Sequence, residues 1–230
     1  LFVFIDPFGA TGVPFATVSD VLESRCSEVL INFDADGIAR NLRNDHVLDE
    51  VFGDKSWHAV RDAPLPFEIQ CRRLLLLYKE KLKGQPNVRH VFSFEMRGST
   101  GLLNYNLVFA TGHPRGLEKM KEAMKAMDQT GEYSFTDADI GQPRLFRFDD
   151  PEEFAEKMYK EFAGARASYN QLNNYALDET PFRNPKKMLK FLEDKGRIQV
   201  QTVPGRPRKK GTFSEDAIQQ VIFQPPDAHA

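Results

Sequence analysis

The sequence is short of the residues that build disulfide frameworks, metal centres and membrane spans. Only two cysteines occur in 230 residues, Cys26 and Cys71, and they lie too far apart for a metal-type pair. That usage fits a reducing, cytoplasmic setting. The five histidines show no ligand spacing. No Ser/His/Asp or Cys/His arrangement emerges for nucleophilic catalysis. The longest aliphatic run, Leu74–Leu77, falls far below the roughly 20 residues that span a bilayer, so no membrane role is expected. No basic leader with a cleavage site opens the chain. Instead the first residues already read as a core-type strand, which leads to the expectation that sequence upstream of Leu1 is missing. Charge of either sign is not in excess: 31 Lys and Arg face 33 Asp and Glu, a net charge of −2. The chain as a whole is no polycation, and any nucleic-acid surface has to be a local patch.

What is present reads as an α/β protein in two parts. Leu1–Ile5 is a continuous apolar run, the signature of a strand buried on both faces. Residues 14–23 predict a helix with Pro14 in its first turn, and Glu28–Phe33 a second buried-type strand. Strand, helix and strand make a βαβ unit with parallel strands. Residues 36–43 predict another helix, while residues 44–64 carry no clear period. Over residues 66–83, Phe67, Cys71, Leu74, Leu75, Tyr78 and Leu82 form one apolar helical stripe ended by Gly84. Residues 88–96 and 105–111 predict an antiparallel pair. A helix over 115–127 places Leu117, Met120, Met124 and Met127 on an expected core face.

The polar stretch 131–149 reads as a linker after a first domain over residues 1–130. Residues 150–224 have a different rhythm. Asp150-Pro151 with Glu153 predicts a capped helix start, followed by Phe154, Met158 and Phe162 on one face. A second helix is expected over 168–177. A third begins at Asn184-Pro185 and is capped by Gly196. A strand over 198–203, a basic turn and a return over 212–223, as helix or strand, complete the pattern of a winged helix-turn-helix. The tail 225–230 reads as disordered.

The opening segment carries the clearest chemistry. Asp6-Pro7-Phe8-Gly9 follows the first strand, and parallel sheets bind ligands beyond the carboxyl ends of their strands. An aspartate there accepts a hydrogen bond from an amine, a proline stiffens the turn, a ring stacks on a planar group, and a glycine admits close approach. The alternative is a strand that simply ends in a tight turn. The order resembles the Asp/Asn-Pro-Pro-Tyr/Phe motif of amino-directed, S-adenosylmethionine-dependent methyltransferases. Here Phe8 replaces the second proline and Gly9 the aromatic residue.

FIDPFGATGVPF, EVLINF, LDEVFG, LVFATGHPRGLEKMKEAM and GTFSEDA together resemble the three-Cys-motif partner proteins (TcmP) over nearly the whole chain. The resemblance implies the C-terminal part of a Rossmann-like, class I methyltransferase-type sheet, whose last two strands are antiparallel, followed by a winged helix. It implies Asp6, Pro7, Phe8 and Gly9 as catalytic-site residues, S-adenosylmethionine as cofactor and a three-Cys-motif protein of radical-SAM type as partner. The Gly-rich cofactor loop expected of the family's upstream half has no counterpart in this sequence, so this chain by itself is expected to be inactive.

Further candidates have two readings each. Asn32 lines the same sheet edge or caps the next helix, and Asp34 and Asp36 cap that helix or bind ligand. Glu95 in its strand calls for a partner, with Arg97 the nearest, or faces solvent. His113 and Arg115 either meet substrate at a helix start or are solvated turn residues. Arg206, Arg208, Lys209 and Lys210 crowd one loop, and Lys186, Lys187 and Lys190 stand on the helix before it, with Lys195 and Arg197 near its end. In a winged helix these positions meet DNA or RNA phosphates. Otherwise they are a solvated loop tip.

Overall fold

The computed structural model describes residues 1–7, 13–97, 103–127, 134–136 and 151–225. The chain divides into two compact units. The first comprises Leu1–Gln129 and Tyr133–Leu145, and the second Thr130–Glu132 and Phe146–Ala230. Phe8, Gly9, Asp150 and most of the expected linker and tail lie outside the described residues.

The first unit is a mixed sheet with helices. Its strands are β1 (Phe2–Ile5), β2 (Glu28–Phe33), β3 (His90–Arg97), β4 (Leu103–Thr111) and β5 (Ser134–Thr136), in the order β1-β2-β4-β3-β5. β1 and β2 are parallel, with Ile5 beside Ile31. β4 runs antiparallel to both β2 and β3. The helices are α1 (Phe15–Leu22), α2 (Ala35–Arg40), α3 (Asp45–Phe52), α4 (His58–Arg61), α5 (Phe67–Lys83) and α6 (Pro114–Met127). The stretch 44–64, which shows no period, thus holds two short helices. Their anchor is Trp57, fully buried with its indole N–H on Asp49 at 2.9 Å.

One face of the sheet (Val29, Ile31, Val91, Val108, Ala110) buries against Val18, Ile38, Leu74 and Tyr78 of the helices. Alternation along each strand decides what reaches that core. β1 corrects the expectation of a strand buried on both faces. It lies at the sheet edge, Val3 packs against the core and Ile5 is buried in it, while Phe2 and Phe4 are 51% and 54% exposed. α6 corrects the expected methionine face. Leu117 and Lys121 are buried, Met127 is exposed, and the Lys121 ammonium lies 4.2 Å from the centre of the Phe92 ring. A lysine stem is apolar enough to serve as packing when its head finds an aromatic face.

The second unit packs α7 (Pro151–Phe162), α8 (Tyr169–Glu179) and α9 (Lys186–Asp194) around a small sheet. The sheet joins β6 (Arg166–Ala167), β7 (Ile198–Thr202) and β8 (Ile218–Phe223) in the order β6-β8-β7, all antiparallel. The open choice for residues 212–223 resolves as a strand. β6 is an addition to the expected two-stranded ribbon. Met158, Leu172, Met188, Leu189, Leu192 and Val221 are fully buried and form the core. A capping box starts α8, with Ser168 and Gln171 exchanging bonds. Gly196, at φ +71°, turns the chain from α9 into β7.

Candidate functional site

Two places gather the candidate residues, one in each unit. In the first, the register that sets Ile5 beside Ile31 brings Asp6 and Asn32 together one residue further on, at the carboxyl end of both strands. Asn32 Nδ2 donates to Asp6 Oδ1 at 2.8 Å. Asn32 Oδ1 is shielded from solvent and has no hydrogen-bond partner among the described residues. The alternative of Asn32 as a helix cap falls to Asp34, whose carboxylate accepts from the Gly37 N–H at 2.8 Å. Gly37 allows this because a Cβ there would lie 2.2 Å from Asp34 Oδ2. Asp36 is engaged as well, accepting from the Cys71 thiol at 3.5 Å and facing Arg40 at 3.7 Å. Burial and then the Asp36 carboxylate push the Cys71 thiol up to about 12, so it stays protonated and unreactive.

Ile5, Pro7, Val13, Asn32 and Asp34 line a small cleft at this edge. Its enclosed space suits one or two water molecules. Sites for whole cofactors enclose some hundreds of cubic ångströms. This cleft does not enclose that volume, and no step through S-adenosylmethionine follows from it.

Asn106 was not among the sequence candidates. It sits on β4 opposite Phe33 and Glu95, at the same end of the sheet. It is 1% exposed, and neither amide atom has a partner among the described residues. The only sign in the sequence is an asparagine in period two with Val108 and Ala110. His113 and Arg115 fall at the opposite sheet edge, because β4 is antiparallel to β2. There Thr111 Oγ1 donates to Glu28 Oε1 at 2.7 Å and accepts from the His113 N–H at 3.1 Å. His113 Nδ1 accepts from the Arg115 N–H at 3.1 Å, closing the turn into α6.

In the second unit, α9 and the loop from Val203 to Ala217 form one surface. Lys186, Lys187 and Lys190 on the helix and Arg206, Lys209 and Lys210 on the loop are all exposed. Arg208 differs from its neighbours. Its side chain is 11% exposed, pairs with both carboxylate oxygens of Glu193 and lies 5.0 Å from the centre of the Phe213 ring. It also donates to the Thr212 carbonyl at 3.0 Å. Glu193 further accepts from the Gly211 N–H at 2.8 Å, where the loop turns through φ +79°. Burial raises the Glu193 pKa, but the Arg208 and Gly211 bonds outweigh it and hold the carboxyl below its ordinary value. Lys190 runs along Gly211, with stem carbons 3.6–3.8 Å from where a Cβ would stand. Lys210 reaches Asp194 at 3.8 Å. Arg197 instead pairs with Glu156 and lies over Tyr159.

Among the described residues, no helix is long and apolar enough to cross a membrane, and no group of three or more His, Cys, Asp and Glu is placed to hold a metal ion. No protein-family model, no curated protein and no solved structure matches the chain.

Proposed function

We propose that this chain binds nucleic acid through its second unit, as a winged helix-turn-helix carried by a methyltransferase-type scaffold of the three-Cys-motif partner kind. The observation that carries the reading is the single basic surface of α9 and the following loop. Six exposed cations line it, while the cation in their midst, Arg208, is spent on holding loop to helix. Cations held in fixed relation match a phosphate backbone better than the same charges on a loose loop, since less freedom is lost on binding. The order helix, strand, helix, helix, strand, strand, with α9 as the helix offered to a groove, supports the winged-helix reading. The strand order β1-β2-β4-β3, with β4 reversed, supports the methyltransferase-type reading of the first unit. Phosphate contacts of this kind give affinity without sequence choice.

The test is a titration of the full chain against labelled duplex DNA, single-stranded DNA and RNA at several salt concentrations. If all six cations meet phosphates of a duplex, affinity falls by about a thousandfold between roughly 50 and 200 mM salt. Absence of binding at low salt contradicts the proposal.

A further inference from the structure

We infer that the exposed face of α5 is an interface between two copies of this chain, which pair antiparallel about Leu76. The inference does not rest on nucleic-acid binding by the second unit. It starts from the longest aliphatic run, Leu74–Leu77. Helix positions two apart point to opposite sides, so four consecutive leucines cannot all face one core. Cys71, Leu74, Tyr78 and Leu82 are buried in the core of the first unit. Leu76 stands on the far side of α5, 49% exposed, and Ile69 lies two turns before it, 36% exposed. The far side of a surface helix is ordinarily polar throughout.

The charges around Leu76 make this stripe complementary to itself. Arg72 and Arg73 lie one turn before it and Glu80 one turn after, all three exposed. None of these side chains has an ion pair or hydrogen bond among the described residues. Laid against a reversed copy, with Leu76 on the two-fold axis, the stripe sets Leu76 against Leu76. Glu80 of each copy then meets Arg72 and Arg73 of the other, and Ile69 meets the apolar stem of Lys83. Parallel pairing would set arginine beside arginine, so the charges fix the direction. The contact is small. With 17 residues, α5 is about 25 Å long. One such helix pair falls below the roughly 800 Å² per partner of a standard interface. The dimer is therefore weak, with a dissociation constant on the order of 100 µM.

The experiment is sedimentation equilibrium of the full chain, free of nucleic acid, from about 5 µM to about 1 mM. A reversible equilibrium of monomer and dimer is expected. Three variants test the pairing: Arg72→Glu with Arg73→Glu, Glu80→Lys, and Leu76→Glu. Each change lies at exposed positions and leaves the core of α5 intact, which circular dichroism checks. Each sets like charges against each other across the axis and weakens the dimer by about tenfold or more. The double arginine variant and the Glu80 variant, mixed in equal amounts, associate again, because each then meets the opposite charge. A chain that stays monomeric at every concentration overturns the inference and leaves the stripe to a different protein. So does a dimer that all three variants retain, or a mixture of the two charge variants that does not associate.

Discussion

At the end of β2, Asn32 uses half of its amide on Asp6 and keeps the other half buried without a partner. Close to the end of α9, Glu193 engages both carboxylate oxygens, on Arg208 and on the Gly211 N–H. The first unit holds unmatched polar atoms in its interior, at Asn32 and Asn106. The second pairs the semi-buried Arg208 and Glu193 with each other and leaves the six cations of α9 and its loop to solvent. The difference separates two kinds of surface. An unmatched buried acceptor calls for a specific small donor, whereas a braced array of exposed charge calls for a large polyanion.

The strongest way to break this contrast is Glu193→Ala. It strands the Arg208 guanidinium, 11% exposed, without its carboxylate. The second unit loses about 2–3 kcal/mol, read from hydrogen exchange of the β8 amides. Nucleic-acid affinity falls too, although no exposed cation has been removed. Unchanged exchange rates would show that the brace is ornamental. Arg208→Lys, with Glu193 intact, keeps the charge without the planar fork and shows only part of that loss.

Next in size is Asn106→Leu, with the opposite sign. Two unmatched buried amide atoms give way to an apolar group of similar volume. The first unit gains about 1–2 kcal/mol. A loss of stability would mean that Asn106 is matched in solution, by water or ligand.

Acid supplies a smaller and graded version of the first test. The folded pKa of Glu193 lies below its unfolded value, so its contribution is complete above the ordinary value of 4.5 and fades as pH falls through the depressed one. Protection of the Gly211 amide is expected to hold at pH 5 and above and to drop at lower pH. A loss already near neutrality would contradict the pairing.

The last test changes stability hardly at all and reads the two units apart. Cys26 is exposed and Cys71 is buried with its thiol pushed up to about 12. A thiol reagent labels Cys26 at once and Cys71 only when the first unit opens. The second unit holds no cysteine, so the Cys71 labelling rate reports on the first unit. Rapid labelling of Cys71 in the native protein would contradict its burial.

Much of the second unit was legible because its punctuation is local. Asn184-Pro185 and Gly196 bracket α9, and the apolar spacing of Met188, Leu189 and Leu192 names the buried face. Arg208 was not separable from Lys209 and Lys210, since its partner is 15 positions away on another element. In the first unit, an apolar run does not reveal whether its strand is central or at an edge, so Phe2 and Phe4 read as core and lie exposed. The α6 period was right in outline, yet a lysine over Phe92 took a place expected for methionine. Asn32 was ambiguous between cap and pocket until register set it beside Asp6, and register is a long-range property.

The central claim is that the exposed cations of α9 and its loop bind nucleic acid. The most direct measurement compares the full chain with a variant in which Lys186, Lys187, Lys190, Arg206, Lys209 and Lys210 are all alanine, at one fixed moderate salt, against the same labelled duplex. The account predicts binding by the wild type, a loss of about a thousandfold or more in the variant, and a salt slope close to zero in what remains. Equal affinity and equal salt slope in the two proteins would contradict it.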